Sequence, residues 1–348
     1  MITIKEALTK KEMKDYVMFS FELYKNNPYW IPPIIAEELE TFDKTKNPAL
    51  QTAEAHFYLA YKDNKIVGKI AAIINWEEVN LLGKRKARFG WFDAIDDIEV
   101  TKALLDKVEE LGRKHNMDHM EGPMGFSNLD KVGILSEGFD QMGNMITWYS
   151  LPYYITHFEQ LGFIKEKEYT ESDFSFNGIN PEPFQKASEL IKKRYELRSL
   201  NFTKTKDIMP YVDKMFDLFN ETYAKLQSFV PINDIQKAYF KKKYISFINP
   251  EFIKFIVDKN DNMIAFAIVM PGFAQALKKA NGKLFPFGFY HLLQARKHSK
   301  EVVFYLIGIT PEYQSKGVTA IVFDEYYKVC QAKGIETCIR TPELEENH

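Results

Sequence analysis

Apolar positions along the first half of the chain alternate between a helical period and a strand period. In residues 6–25 they recur at three- and four-residue steps, which predicts an amphipathic helix. Residues 56–75 form two β-branched and aromatic runs on either side of Lys-Asp-Asn, which predicts a hairpin. The pattern then predicts a strand at 87–95, a helix at 99–116, a strand at 118–126 and a helix followed by a strand within 153–169.

The second half repeats this order of elements. It predicts a long helix at 207–226, a hairpin around an Asp-Asn turn at 251–273, a strand at 301–309, a helix at 319–335 and a strand at 336–342. Two cycles predict two α/β domains with mixed sheets, joined near residues 175–187, where Gly, Asn and Pro cluster. The second cycle ends sooner than the first. Either its sheet is without its last elements, or another part of the chain completes it.

Length, charge and apolar runs exclude several classes of protein. A chain of 348 residues favours two domains, and 46 basic against 48 acidic side chains argue against a dedicated nucleic-acid binder. Apolar runs such as 263–270 are too short to span a bilayer, and the N-terminus has no apolar signal core. We therefore expect a cytoplasmic protein with no membrane span and no nucleic-acid partner. Cys330 and Cys338 are expected to be buried free thiols, and no metal site is expected.

The stretch from Gly308 to Ala320 carries the most specific chemistry. An apolar strand leads through a short loop into a helix, whose first turn has unpaired N–H groups and the positive end of the helix dipole. Gly317 allows a close approach of the backbone, and the three preceding side chains add donors and one positive charge. This composition suits a pyrophosphate, although an ordinary turn is the alternative. The spacing of a Walker A loop and the glycine triplet of a Rossmann fold are both absent.

The segment Gln-Ser-Lys-Gly-Val-Thr at 314–319 resembles the [QR]-x-x-G-x-[GA] acyl-CoA loop of the GNAT acyltransferase superfamily. The two hairpins, and His-Phe-Glu-Gln-Leu-Gly-Phe from residue 157, also resemble segments of that family. The whole chain thus resembles a tandem GNAT protein. This resemblance implies an α/β (α+β) fold with two GNAT-like domains, each a mixed, mostly antiparallel sheet flanked by helices.

The sequence departs from the family pattern at two places. Thr319 stands where Gly or Ala is usual, and the first half has an acidic segment without glycine, residues 93–105, where its acyl-CoA loop is expected. We therefore predict a degenerate N-terminal GNAT-like domain at 1–180. A C-terminal domain with the acyl-CoA loop is predicted at 181–348, short at its C-terminus.

The resemblance implies an N-acyltransferase, with acetyl transfer as the expected reaction. A primary amine, on a small molecule or a peptide, attacks the thioester of acetyl-CoA or another acyl-CoA, and the N–H groups of Gly308 and Ile309 stabilise the oxyanion. The implied cofactor-binding residues are Ile307, Gly308, Ile309, Gln314, Ser315, Lys316, Gly317, Val318, Thr319 and Asn347.

The catalytic acid and base stay open at this stage. Residues 302–308 contain no carboxylate, and Tyr305 either orients a water or the amine, or is a core tyrosine. His291 is a candidate base only if the basic, aromatic insertion at 274–300 folds over the cleft; otherwise it is a surface or core histidine. That insertion is either a lid or an amphipathic patch for a partner or a membrane face. The tyrosine that serves the family as an acid would lie beyond residue 348.

Two rival functions are compatible with the pattern. A Fem-like aminoacyl transferase also pairs two GNAT-like folds, but the neutral charge balance and the 314–317 loop weigh against it. A non-catalytic protein that binds CoA or a partner is favoured by the missing carboxylate and the short second half. A homodimer is a further open alternative.

Overall fold

The computed structural model describes residues 1–127, 129–224, 226, 229–245 and 248–344. The chain forms two compact units, one made of Met1–Glu166 with Ala274–Leu292 and the other of Lys167–Phe273 with the residues from Leu293 onward. The first unit contains, in chain order, β1 (Ile2–Glu6), α1 (Lys10–Leu23), α2 (Ile35–Thr41), α3 (Ala49–Thr52), β2 (Ala53–Lys62), β3 (Lys65–Asn75), α4 (Trp76–Leu82), β4 (Lys86–Ala94), α5 (Ile98–Lys114), β5 (His119–Glu121) and α6 (Tyr153–Gln160).

The first sheet has the strand order β1-β2-β3-β4-β5, antiparallel except for the parallel pair β4–β5. The predicted hairpin is present, and its turn residues Asp63 and Asn64 have positive φ values of 50° and 60°. Helix α5 buries Val100, Leu104 and Val108 on one face of the sheet. This apolar stripe accounts for the helix being the clearest one in the sequence.

The start of the chain differs from the prediction. Residues 2–6 form β1, paired with β2, and the helix predicted from residue 6 begins only at Lys10. The alternation of Ile2 and Ile4 explains the strand, and a capping box between Thr9 and Glu12 fixes the start of α1. Apolar spacing alone does not locate the N-cap, so it predicts a start of α1 that is too early.

The second unit is built in the same layered way. Its elements are β6 (Tyr169–Ser175), α7 (Glu182–Tyr195), β7 (Arg198–Leu200), α8 (Thr205–Tyr223), α9 (Asp234–Phe240), β8 (Ile253–Val257), β9 (Met263–Pro271), β10 (Glu301–Ile309), α12 (Val318–Lys333) and β11 (Thr337–Leu344), with α10 (Ala274–Ala280) and α11 (Gly288–His298) lying between β9 and β10. A π-helical turn spans Lys241–Ile245, and 3-10 turns span Pro250–Phe252 and Pro311–Tyr313. The strand order is β6-β11-β10-β9-β8-β7.

Strand β6 completes the sheet of the shorter second cycle. It precedes the second cycle in the chain, yet it pairs antiparallel with β11, from Thr337↔Ser175 to Leu344↔Tyr169. Phe174 of β6 packs against the core formed by α12 and the sheet. Another part of the chain therefore closes this sheet, which was the second of the two alternatives.

The insertion between β9 and β10 forms two helices, α10 (Ala274–Ala280) and α11 (Gly288–His298). Its residues up to Leu292 pack with the first unit. The backbone N–H of Ile35 donates to the carbonyl oxygen of Gly282 at 2.9 Å, which ties the base of this segment to the start of α2.

Cys330 and Cys338 are free and buried, as expected. Burial raises the pKa of each thiol to about 12, so both stay protonated near neutral pH. Among the described residues, no helix combines the length and the apolar character needed to cross a bilayer.

Candidate functional site

Among the described residues, the edge of β10 that faces β11 has no strand partner beyond Phe304. Strand β10 pairs with β9 from Val302 to Ile309, but its parallel pairing with β11 covers only Glu301↔Thr337 to Phe304↔Arg340 among the described residues. Beyond that point Thr341 Oγ1 still donates to the carbonyl oxygen of Tyr305 at 3.4 Å. The two parallel strands therefore separate after Tyr305, and a gap opens between them.

A bulge in β10 marks the point of separation. The register against β9 shifts between Phe304 and Leu306, so Tyr305 is the extra residue. Beyond the bulge the backbone groups alternate again between the two edges of the strand. The N–H of Thr310 donates to Ile264 on β9 at 2.9 Å, which puts the backbone groups of Ile309 on the opposite edge. Ile307, two residues earlier, faces the same open edge.

The same alternation turns Gly308 toward β9. Its register partner is Phe266, and a Cβ at Gly308 would come within 2.3 Å of the Phe266 ring. The need for glycine here is explained by this close packing. Of the three residues predicted on this strand, Ile307 and Ile309 are the ones whose amides face the gap.

The loop after β10 leads directly into α12. Gly317 is the N-cap residue with a φ of +75°, and no side chain caps the helix. The first turn contains no acidic residue. Val318 is fully buried in the core of the second unit, whereas Thr319, the next residue of the helix, is exposed. The first N–H groups of α12 are thus left without side-chain acceptors, as an anion-binding helix N-terminus requires.

Other side chains of the loop are held by local contacts. Gln314 Nε2 donates to the carbonyl oxygen of Ile309 at 3.1 Å, which fixes the loop against the end of β10. Lys316 Nζ lies 4.1 Å from the ring centroid of Tyr313 and 5.3 Å from that of Tyr195. The two rings hold the positive charge near the loop by cation–π contacts. Ser315 is exposed at the tip.

These groups fit the diphosphate of a coenzyme. The uncapped amides and the positive charge of Lys316 are complementary to phosphate oxygens. Thr310 Oγ1, at the start of the loop, is buried without a hydrogen-bond partner among the described residues. A Cβ at Gly317 would come within 2.9 Å of Ile191 Cδ1 on α7, so a larger residue here would crowd the loop. The gap between β10 and β11 gives an extended chain a path from the loop to Ile307.

In the first unit, the N-terminus of the corresponding helix, α5, is capped by a side chain. Asp97 is the N-cap of α5, and its side chain accepts a hydrogen bond from Glu99 N at 3.1 Å. The other Asp97 oxygen accepts from Lys62 Nζ at 2.8 Å. A carboxylate thus occupies the position that an incoming phosphate would need, and Glu99 adds a second negative charge.

The gap beside β4 is also closed in the first unit. The register of β4 with β5 ends at Arg88↔Glu121, but the chain continues along β4. Met124 N donates to the carbonyl oxygen of Phe89 at 2.7 Å. A Cβ on Gly90 would lie 2.3 Å from the carbonyl oxygen of Met124. The backbone after β5 therefore fills the space that stays open beside β10.

Tyr223, which the sequence did not single out, lies at the open edge of β10. This last residue of α8 donates its hydroxyl hydrogen to the carbonyl oxygen of Ile307 at 3.0 Å. Burial raises the pKa of Tyr223 to about 12, so the hydroxyl is protonated near neutral pH and serves as a donor. In the sequence Tyr223 is one of several aromatic residues on an amphipathic helix, so no local signal separated it from the core.

The remaining predicted residues lie in different places. Tyr305 is half-buried at the bulge of β10. His291 lies on α11, in the part of the insertion that packs with the first unit, and its ring centroid is 6.0 Å from that of Tyr290. Asn347 lies outside the described residues.

No known protein-family model matches the chain. It is 27% identical over 326 residues to the protein YghO of Escherichia coli, covering 92% of this chain and 81% of YghO. It is 24% identical over 312 residues to the bacterial ceramide synthase of Caulobacter vibrioides, covering 88% and 80%. A solved tandem GNAT protein from the clavulanic acid biosynthesis pathway superposes over 100% of this chain and 91% of its own, with a TM-score of 0.53 at 10% identity. The chain has a tandem GNAT fold.

This fold accounts for the shared plan of the two units. In each, a hairpin precedes a strand that leads into a long helix, and a parallel strand follows. The tandem GNAT fold expected from the loop and the hairpins, with a mixed sheet in each unit, is thereby confirmed. The two sheets have five and six strands.

Proposed function

We propose that this protein is an acyl-CoA-dependent N-acyltransferase whose cofactor binds to the second unit. One observation carries the proposal: the uncapped mouth of α12 lies at the end of a strand whose neighbour has separated from it. An acyl-CoA needs both features, because its diphosphate requires N–H donors and its pantetheine arm requires a slot in the sheet. The capped helix mouth of α5 supports a degenerate role for the first unit.

In the proposed reaction a primary amine attacks the thioester carbonyl of acyl-CoA. The developing oxyanion is stabilised by backbone N–H groups on the open edge of β10, for which Ile307 and Ile309 are the best candidates. The amine loses a proton as the new C–N bond forms, and the C–S bond then breaks to release CoA thiolate, which takes up a proton.

Tyr223 is the best-placed proton donor for this sequence of steps. Its hydroxyl is protonated near neutral pH and lies at the carbonyl of Ile307. It therefore suits stabilisation of the departing thiolate better than removal of a proton from the amine. For the steps that orient or deprotonate the amine, the proposed residues are Tyr305 and His291.

For the acceptor and the acyl group, we propose a chemical class only. The similarity to the Caulobacter ceramide synthase supports an amine on a long-chain amino alcohol, since a ceramide is an amide of such an amine. Acetyl-CoA, the donor expected from the sequence, is the short alternative. A donor series from acetyl-CoA to palmitoyl-CoA separates these two possibilities.

The decisive experiment measures release of free CoA thiol with each donor, in the presence and absence of a panel of primary amines. The panel contains polyamines, amino-acid amides and a long-chain amino alcohol. We expect amine-dependent thiol release with at least one pair, together with an N-acyl product detected by mass spectrometry. Tight CoA binding without turnover for any pair would contradict catalysis and favour the non-catalytic alternative.

A further inference from the structure

The tip of the insertion carries a group of exposed aromatic side chains, here called the aromatic patch. The exposed fractions are 79% for Phe285, 69% for Phe287, 46% for Phe289 and 53% for Tyr290. The rings of Phe285 and Phe289 lie 6.1 Å apart, so they belong to one surface. Contiguous apolar surface of this kind marks an interaction site, whereas single exposed apolar residues do not.

The patch is presented by a fixed support. Ala276, Leu277 and Ala280 of α10 are buried, and the carbonyl oxygen of Gly282 accepts the N–H of Ile35. Gly282 has a φ of +77°, and a Cβ there would lie 2.6 Å from the Phe21 ring. The aromatic rings therefore project from a well-packed base within the first unit.

Along the sequence, the charged residues of the insertion are all basic. Residues 262–300 contain no Asp or Glu but contain Lys278, Lys279, Lys283, Arg296, Lys297 and Lys300, while the whole chain has a formal net charge of -2. Lys279 and Lys283, which flank the turn before the patch, are exposed. Lysine is depleted from the centres of protein–protein interfaces, but it is enriched beside apolar groups that enter an anionic membrane surface.

We propose that the aromatic patch and its neighbouring lysines form a docking surface for an anionic lipid bilayer. The rings enter the boundary between headgroups and acyl chains, and the lysines contact the lipid phosphates. Such a surface binds without crossing the membrane. Docking uses none of the residues of the proposed catalytic site, so it stands or falls independently of the acyl transfer.

Co-sedimentation of the full-length protein with vesicles tests this inference. We expect binding to vesicles of equimolar phosphatidylglycerol and phosphatidylcholine, weak binding to phosphatidylcholine alone, and a loss of binding as the ionic strength rises from about 0.1 M to about 1 M. The double variant Phe285→Ser/Phe287→Ser should reduce the partition coefficient roughly tenfold or more, because two large apolar groups are lost. The matched control Leu81→Ser/Ile164→Ser removes two exposed apolar side chains elsewhere on the first unit and should bind as the wild type does.

Charge is tested separately with Lys279→Glu/Lys283→Glu, which should abolish the preference for phosphatidylglycerol. The control Lys10→Glu/Lys11→Glu changes charge equally on exposed residues of α1. A Phe287→Cys variant labelled with a solvatochromic dye adds a readout that does not depend on loss of binding, since both native thiols are buried. We expect a blue shift of its emission on anionic vesicles.

Three results would overturn the inference: no binding of the wild type to anionic vesicles, equal losses in the patch and control variants, or no blue shift of the dye. Light scattering is run in parallel. A wild-type dimer that Phe285→Ser/Phe287→Ser converts to a monomer, without vesicle binding, would assign the patch to contact between copies of the chain instead.

Discussion

In the proposed cofactor site, Gly317 sets how closely a ligand can approach the first turn of α12. Its φ of +75° belongs to the left-handed region, and a Cβ there would displace the end of the Ile191 side chain. Both constraints act at the residue where the helix amides are exposed. The position of the loop before α12 could be predicted from the sequence, because a glycine that follows polar and basic residues and precedes a helical pattern is a local signal.

Replacing Gly317→Ala should therefore weaken CoA binding about tenfold, equivalent to about 1.4 kcal/mol. The free energy of unfolding should fall by roughly 1–2 kcal/mol, the cost of a left-handed non-glycine residue. The control is Gly334→Ala, which has a φ of +64° at the other end of α12. Calorimetric titration and urea denaturation should show equal destabilisation of the two variants but weaker CoA binding only for the first. Equal CoA affinity would contradict the assigned site.

Tyr223→Phe tests the proposed proton donor. Loss of the hydroxyl should lower kcat roughly 100-fold, the usual range for one proton-transferring group, with KM for acyl-CoA little changed. The control is Tyr326→Phe, whose hydroxyl donates to Phe252 and Ala267 and should affect stability without lowering kcat. Steady-state kinetics of both variants, with thermal unfolding, separate the two effects. An unchanged kcat in Tyr223→Phe would exclude the role.

At the scale of elements, α7 packs against α12, the helix that follows the proposed CoA-binding loop. Glu325 of α12 accepts hydrogen bonds from Lys192 Nζ at 2.7 Å and from Asn201 Nδ2 at 2.9 Å. Burial on its own raises the pKa of Glu325, but these hydrogen bonds outweigh it and lower the pKa to about 2. The sequence did not predict this pairing, because the partners are 133 and 124 residues away from Glu325.

Because the folded-state pKa is depressed, the ionised Glu325 stabilises the fold above its unfolded pKa of about 4.5, and this contribution is lost as the pH falls toward about 2. Glu325→Gln should lower the free energy of unfolding by about 2 kcal/mol near neutral pH. The difference from the wild type should vanish in acid. Urea denaturation across this pH range measures it, with exposed Glu221→Gln as the control. A difference that persists below about pH 2 would show that the effect is not ionic.

At the scale of the whole molecule, the sheet of the second unit depends on a strand that precedes the second cycle of the sequence. The sequence predicted the order of hairpin, strand and helix in both halves, because each element has its own periodicity. It left open which segment lies beside β11, since strand partners distant in the chain leave no periodic signal. The sequence of β6 does not indicate which strand it pairs with. The pairing with β11 is seen only in the register of the folded sheet.

Phe174→Ala should destabilise the second unit by about 1–2 kcal/mol, because a partly buried ring of β6 is removed from its core. Tyr169→Ala, at the exposed end of the same strand, should cost less than about 0.5 kcal/mol. Hydrogen exchange should show faster exchange along β11 in the first variant and an unchanged first sheet. Equal protection of β11 in both variants would contradict the role of β6.

The N-terminus of α12 has no side-chain cap, whereas Asp97 caps the N-terminus of α5. The account therefore depends on CoA binding at α12 and not at α5. Titrating isotope-labelled protein with CoA and following backbone amide resonances tests it directly. The largest shifts should occur at Gly317, Val318 and Thr319, with smaller ones at Ile307 and Ile309. Shifts concentrated at Asp97 to Val100 of the first unit, or none at saturating CoA, would contradict the account.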